Sequence, residues 1–190
     1  IDHSGEVIGY SLSESIIRSR ARLIYEDVAD LLDGRTSSIS SPELQANIRK
    51  MDKLAKILQR KRIMRGAVQF SFSEEVFEFD SDQQMIGIGR SYQSSAMKLI
   101  EQFMLEANET VARHCVKNRI PALYRVHDHP DMRKLQKLQQ TFFRFGVKTS
   151  LSTLADPKKF NEVIEQIQEL PHFEQLQVLL LRSMALAVYQ

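Results

Sequence analysis

Apolar and polar positions change their period several times along the chain, and each change marks an element. From 6 to 19 the alternation of Val7, Tyr10, Leu12 and Ile16-Ile17 predicts one or two strands. Ile24, Val28, Leu31 and Leu32 then recur every three to four residues, which predicts a helix from Leu23 to Leu32 that Asp33-Gly34 ends. After a polar loop, Ser41 caps and Pro42 opens a second helix that runs to about Met64. Gly66 breaks it, and Val68, Phe70 and Phe72 alternate with Ala67, Gln69 and Ser71 as a half-buried strand does. Val76–Phe79 and Met85–Ile88 add two strands, completing a small antiparallel meander with an acidic connection. Ser95 to Asn118 holds neither Gly nor Pro and predicts a long helix, with Pro121 as its stop. Ala122–Val126 reads as a strand. Pro130–Phe145 reads as a helix with Gly146 as its C-terminal cap and Asp128 or His129 as its N-cap. Further helices start at Asp156-Pro157 and span Phe173–Val188. With no repeat and no Pro- or Gly-rich linker, the expected fold is one α+β segment, small antiparallel strands packed with several helices.

On a helical wheel of the 95–118 segment, Met97, Leu99, Phe103, Ala107 and Val111 lie within a wide apolar arc, and Lys98, Gln102, Glu106, Glu109 and Arg113 fill the polar remainder. Glu101 and Asn108 fall inside the apolar arc. A buried carboxylate is costly unless hydrogen-bonded or paired, so Glu101 either ties a neighbouring backbone or Arg into the core or lines a channel and accepts hydrogen bonds from hydroxyls. Tyr25 shares a face with Val28 and Leu32 and reads as core by periodicity. Phe70 reads as core by alternation; its alternative is a platform on which a base stacks.

Composition narrows the classes. With 43% hydrophobic and 26% charged residues this is a folded chain, long enough to bury roughly 70% of its unfolded surface without cross-links. Its 26 Lys and Arg against 24 Asp and Glu, net +2, exclude a uniformly basic nucleic-acid coat. The single Cys115 excludes a disulfide scaffold and a zinc cage, lies on the apolar arc as a small hydrophobe, and fits a reducing cytoplasm. No apolar run reaches the length of a membrane span and the start carries no signal pattern, so no membrane partner is expected. A start at Ile1 within a strand pattern and a stop at Gln190 beside an apolar helix suggest a segment cut from a longer protein.

Charge is unevenly placed: residues 41–65 carry Arg49, Lys50, Lys53, Lys56, Arg60, Lys61, Arg62 and Arg65 against Glu43 and Asp52. This helix either holds phosphates or presents a solvated face opposite Leu44, Ile48, Met51, Leu54 and Leu58. His127, Asp128, His129 and Asp131 are set aside as a metal cluster because Pro130 opens a helix among them. Asp27, Asp30 and Asp33 read as a solvated edge. There is no phosphate-binding Gly-rich loop and no nucleophile elbow.

Five islands, in order, resemble the catalytic domain of the RNase II and RNase R family of 3′ to 5′ exoribonucleases. They are Ser19-Arg20-Ala21-Arg22-Leu23-Ile24-Tyr25-Glu26-Asp27-Val28, Arg65-Gly66-Ala67-Val68-Gln69-Phe70, the stretch Lys98 to Asn108, Pro121-Ala122-Leu123-Tyr124-Arg125-Val126-His127, and Leu180-Leu181-Arg182-Ser183-Met184. They cover nearly all of the chain, and the fourth looks closer to the RNase R branch. The resemblance implies a partial RNB catalytic domain, 1–190, truncated at both ends. It implies that Tyr25 and Glu101 lie beside the 3′-terminal nucleotides, where hydrogen bonds to ribose hydroxyls distinguish RNA from DNA, and that Phe70 stacks on bases near that end. The implied partner is single-stranded RNA and the product 5′-nucleoside monophosphates, with no small-molecule cofactor. The implied Mg²⁺ is bound outside this segment, by an upstream aspartate cluster spaced D-x-x-x-x-D-x-D-D; a downstream Ser-Pro-Ile-Arg and the family's OB-type domains are also missing. The segment alone is therefore expected to be inactive. The rival expectations are a non-catalytic RNA-binding or scaffold protein that keeps the fold, and a helical protein-interaction module.

Overall fold

The computed structural model describes residues 1–190, in the order α1 (Tyr25–Leu32), α2 (Pro42–Met64), β1 (Glu74–Phe79), β2 (Met85–Ser91), α3 (Ser95–Asn118), β3 (Arg125–His127), α4 (Met132–Arg144), α5 (Leu151–Ala155), α6 (Phe160–Gln168), α7 (Phe173–Ser183) and β4 (Ala187–Tyr189). Seven helices and two small antiparallel sheets make the α+β class expected from the sequence. The chain divides into two compact units, residues 1–61 with 73–114, and residues 62–72 with 115–190.

In the first unit, α2 starts where Ser41 and Pro42 place it, with the Leu44 amide donating to Ser41 Oγ at 3.4 Å. Leu31, Ile39 and Ile48 form a small core, with Val28, Leu32 and Leu44 packed against it. Gly34, at φ +77°, ends α1 in the left-handed region, and Arg35 beyond it donates to Asp30 at 2.6 Å and pairs with Asp33 at 3.0 Å. The Asp30 hydrogen bond raises the Arg35 pKa above its usual value. Two of the three repeated aspartates are thus bridged at the surface.

β1 and β2 form a hairpin in which Glu75 faces Arg90 and Phe77 faces Ile88. Its acidic connection is closed by Asp80, whose Oδ1 accepts from the amides of Asp82 and Gln84, both at 2.9 Å. The expected third strand of a meander, 68–72, is absent from this sheet. Residues 6–19 form no strand either. Their alternation sets a local preference, but a strand exists only through a partner edge, and no strand pairs with them.

α3 matches its predicted bounds, but its buried stripe is narrower than the apolar arc. Ala96, Leu99, Gln102 and Glu106 are buried, while Met97, Ile100, Met104 and Val111 are exposed. The buried carboxylate is therefore Glu106, placed by the wheel on the polar side; Glu101 is half-buried. Arg113, one and two turns on, donates to Glu106 at 2.9 Å and to Glu109 at 3.2 Å.

The second unit has the larger core: Leu135, Leu138 and Phe142 of α4, Val147, Leu154, Phe160, Val163, Ile164 and Ile167 of α6, and Leu176 and Leu180 of α7. Four corrections apply here. Asp131, rather than Asp128 or His129, caps α4 by accepting from the Arg133 amide at 2.8 Å. The strand expected at 122–126 is β3, shifted to Arg125–His127. α7 ends at Ser183 instead of Val188, because Met184 turns extended and Ala187–Tyr189 pairs with β3 as β4. A short helix, α5, which the sequence reading lacked, precedes the turn at Pro157; the Ser150 hydroxyl caps it at the Thr153 amide, 3.0 Å away.

Candidate functional site

Tyr25 is the first residue of α1 and is half exposed, at 45%. It lines an apolar cavity of about 310 Å³ with Ile24, Val28, Ile48, Met51, Leu99 and Ile100. The ring is thus neither plain core nor plain surface, since one side meets apolar neighbours and the rest meets water. Glu101 follows Ile100 on α3 and accepts a hydrogen bond from the Gln93 side-chain amide at 3.2 Å. A half-buried carboxylate with one amide donor keeps free lone pairs for a further donor. The first unit therefore places Tyr25 and the α3 turn that precedes Glu101 around one cavity.

Phe70 belongs to the second unit, in the extended segment 67–72. It packs with Val68 against the larger core and lies 5.6 Å from the Phe72 ring, centroid to centroid, with planes 18° apart. This backbone has no neighbouring strand; two side-chain amides take that part. Asn161 of α6 accepts from the Gln69 amide at 3.1 Å and donates to the Ala67 carbonyl at 3.0 Å. Gln177 of α7, fully buried, accepts from the Ser71 amide at 2.8 Å and donates to the Ser71 carbonyl at 2.9 Å. A carboxamide offers one donor face and one acceptor face, as a peptide group does, so the pair fixes the segment without a second strand. The result is a stacked pair of aromatic rings on a clamped backbone. Sequence reasoning missed both amides, although Gln177 shares a helical face with Phe173 and Leu180.

The remaining candidates make local contacts. His127 Nδ1 lies 3.1 Å from the Ala185 carbonyl, and Asp128 accepts from the His129 amide at 3.0 Å. Cys115 is half-buried. No three His, Cys, Asp or Glu side chains converge in a group that could hold a metal ion. No helix is long and apolar enough to cross a membrane.

Known proteins resemble this chain in sequence along essentially its whole length and in structure over most of it. The pattern of the RNB domain family matches residues 1–190. Ribonuclease R of Aquifex aeolicus (strain VF5) is 35% identical over 189 residues, covering 99% of this chain and 27% of that protein. The structure of Mycoplasma genitalium RNase R in complex with ribose methylated single-stranded RNA is similar at a TM-score of 0.76 and 29% identity, over 87% of this chain and 26% of that one. The same protein in complex with double-stranded RNA gives 0.76, with 87% and 30% covered. The chain thus spans roughly a quarter of the length of the relatives it matches.

Proposed function

The chain belongs to the RNB domain family, and from that premise we propose that it is the interior part of a 3′ to 5′ exoribonuclease of the RNase R kind. The reading is carried by one observation: the family pattern and the RNase R relatives match the chain from end to end. The substrate is single-stranded RNA, released as 5′-nucleoside monophosphates in the cytoplasm.

Each candidate residue has a physical role in this reading. Glu101, held by Gln93, accepts hydrogen bonds from ribose hydroxyls, which DNA cannot supply at the 2′ position. Tyr25 bounds the terminal nucleotide with its half-exposed ring and offers its hydroxyl. Phe70, backed by Phe72 and the Gln177 amide, stacks on a base without regard to sequence, an interaction worth about 1–3 kcal/mol per base. In this reading Mg²⁺ is bound by residues outside these 190, as the family resemblance implies. The 190-residue chain alone is inactive in this reading.

The test is digestion of a 5′-labelled single-stranded RNA beside a matching DNA by the full-length protein in Mg²⁺, with Glu101→Ala and Phe70→Ala variants. Stepwise shortening of RNA alone is expected, with DNA competing better against Glu101→Ala and KM rising roughly 5- to 100-fold for Phe70→Ala. RNA binding without shortening would replace the exoribonuclease by a non-catalytic RNA-binding protein.

A further inference from the structure

The outer face of α2 carries one sign of charge, and this property is separate from the residues that would meet the RNA end. At about 100° per residue, Arg49, Lys53, Lys56 and Arg60 fall within an arc of about 60°, and all four are exposed. They span 12 residues, about 16 Å along the axis. On α2 the only carboxylate beside this arc is Asp52, which pairs with Lys56 at 2.7 Å, while Asp33 at the end of α1 lines the same depression as Lys56. Other polar faces in the same unit are mixed: Arg113 is matched by Glu106 and Glu109, and Arg35 by Asp30 and Asp33. A solvated helix face ordinarily interleaves signs, since unlike charges one turn apart support the helix and like charges weaken it. This face accepts that cost.

We propose that the α2 stripe is a docking track for the phosphodiester backbone of RNA lying upstream of the bound 3′ end. The proposal rests on the RNA-degrading reading above and adds a second contact surface to it. Ile48 and Met51, on the opposite side of α2, line the Tyr25 cavity. The stripe lies about 140° around the helix from them, a path of about 12–15 Å on a cylinder 10–12 Å wide. At about 3.4 Å per stacked nucleotide this takes about four nucleotides. An RNA held at Tyr25 must therefore exceed that length to reach the stripe, and a track of four cations then meets its phosphates by charge, without reading bases.

The experiment uses the full-length protein with Arg49→Gln, Lys53→Gln and Arg60→Gln combined, leaving the Lys56–Asp52 pair intact. Gln keeps helix propensity close to that of the residues replaced, and an unchanged melting temperature verifies the fold. Binding of a 30-nucleotide RNA and of a tetranucleotide is measured from 0.1 to 1 M salt. For the long RNA the slope of log K against log salt should fall by about 2, which is about 100-fold in affinity at 0.1 M and nothing at 1 M. Tetranucleotide binding and its turnover should not change. An unchanged slope for the long RNA, or an equal loss for both lengths, would overturn the proposal while leaving the exoribonuclease reading intact. Loss of binding to phosphatidylglycerol vesicles with RNA binding unaffected would assign the stripe to a lipid surface instead, and a wild-type protein that neither binds nor shortens RNA would sink both readings.

Discussion

The Gln177 side chain exchanges two hydrogen bonds with the backbone of Ser71, accepting at 2.8 Å and donating at 2.9 Å across a sequence separation of 106 residues. It does for one residue what a paired strand does for many. Replacing it with Leu keeps the volume but leaves both groups of Ser71 to water, and should cost about 1–2 kcal/mol in urea unfolding. Gln177→Glu should cost more at neutral pH, because a buried carboxylate then faces the Ser71 carbonyl. Burial and that carbonyl raise the folded-state pKa of the new acid above its unfolded value, so stability should be regained as pH falls through the folded value and lost as pH rises through it. A Gln177→Glu variant whose stability tracks wild type at every pH would show that the donor half of the exchange contributes nothing.

Gly66 and Gly34 both have positive φ, but only one is crowded. A Cβ at Gly66, φ +101°, would lie 2.9 Å from Lys158 Cγ and 3.2 Å from its backbone nitrogen, whereas one at Gly34 meets nothing within 4 Å. Gly34→Ala should cost about 1 kcal/mol for conformation alone, and Gly66→Ala about 2–3 kcal/mol. Equal midpoints in thermal unfolding would contradict the assigned crowding.

Phe142 and Phe143 are neighbours on α4 with opposite surroundings, 0% and 72% exposed. Phe142→Ala should cost about 3–5 kcal/mol and Phe143→Ala less than about 0.5 kcal/mol by chemical denaturation.

Arg113→Met removes the donor to the buried Glu106. The guanidinium is half exposed, which reduces the loss, and about 1–2 kcal/mol is expected. Glu106→Gln retains a carbonyl oxygen for Arg113 and should cost less. The order of the two unfolding midpoints is the check.

The helix ends marked by Pro, Gly or a capping hydroxyl were legible, because they rest on local chemistry. Ser41-Pro42 opened α2 where expected, α3 ends at Asn118 just ahead of Pro121 with Arg119 at φ +55°, and Gly146 lies just past α4 at φ +80°. What depended on distant partners was not legible. Alternation predicted strands at 6–19 and 68–72, but the first has no partner and the second is held by Asn161 and Gln177, both more than 90 residues away. The wheel placed Glu101 within a broad apolar arc and could not reveal that a narrow stripe through Gln102 and Glu106 is the side that packs. Glu101 stood out on the wheel as a carboxylate within an apolar arc, whereas Tyr25 and Phe70 read as core by period and gained a site role by resemblance; their cavity, clamp and amide partner came from the structure.

A clamp made of carboxamides also ages. Asn and Gln side chains hydrolyse slowly to acids, faster when hot. Hydrolysis at Asn161 would convert the group that donates to the Ala67 carbonyl into a second acceptor, turning attraction into repulsion at an atom 3.0 Å away. The segment bearing Phe70 would then loosen without any change in the gene that encodes it. Shelf life at elevated temperature, read by mass spectrometry as a gain of about one dalton at Asn161, becomes a property of this aromatic platform rather than of the helices beneath it.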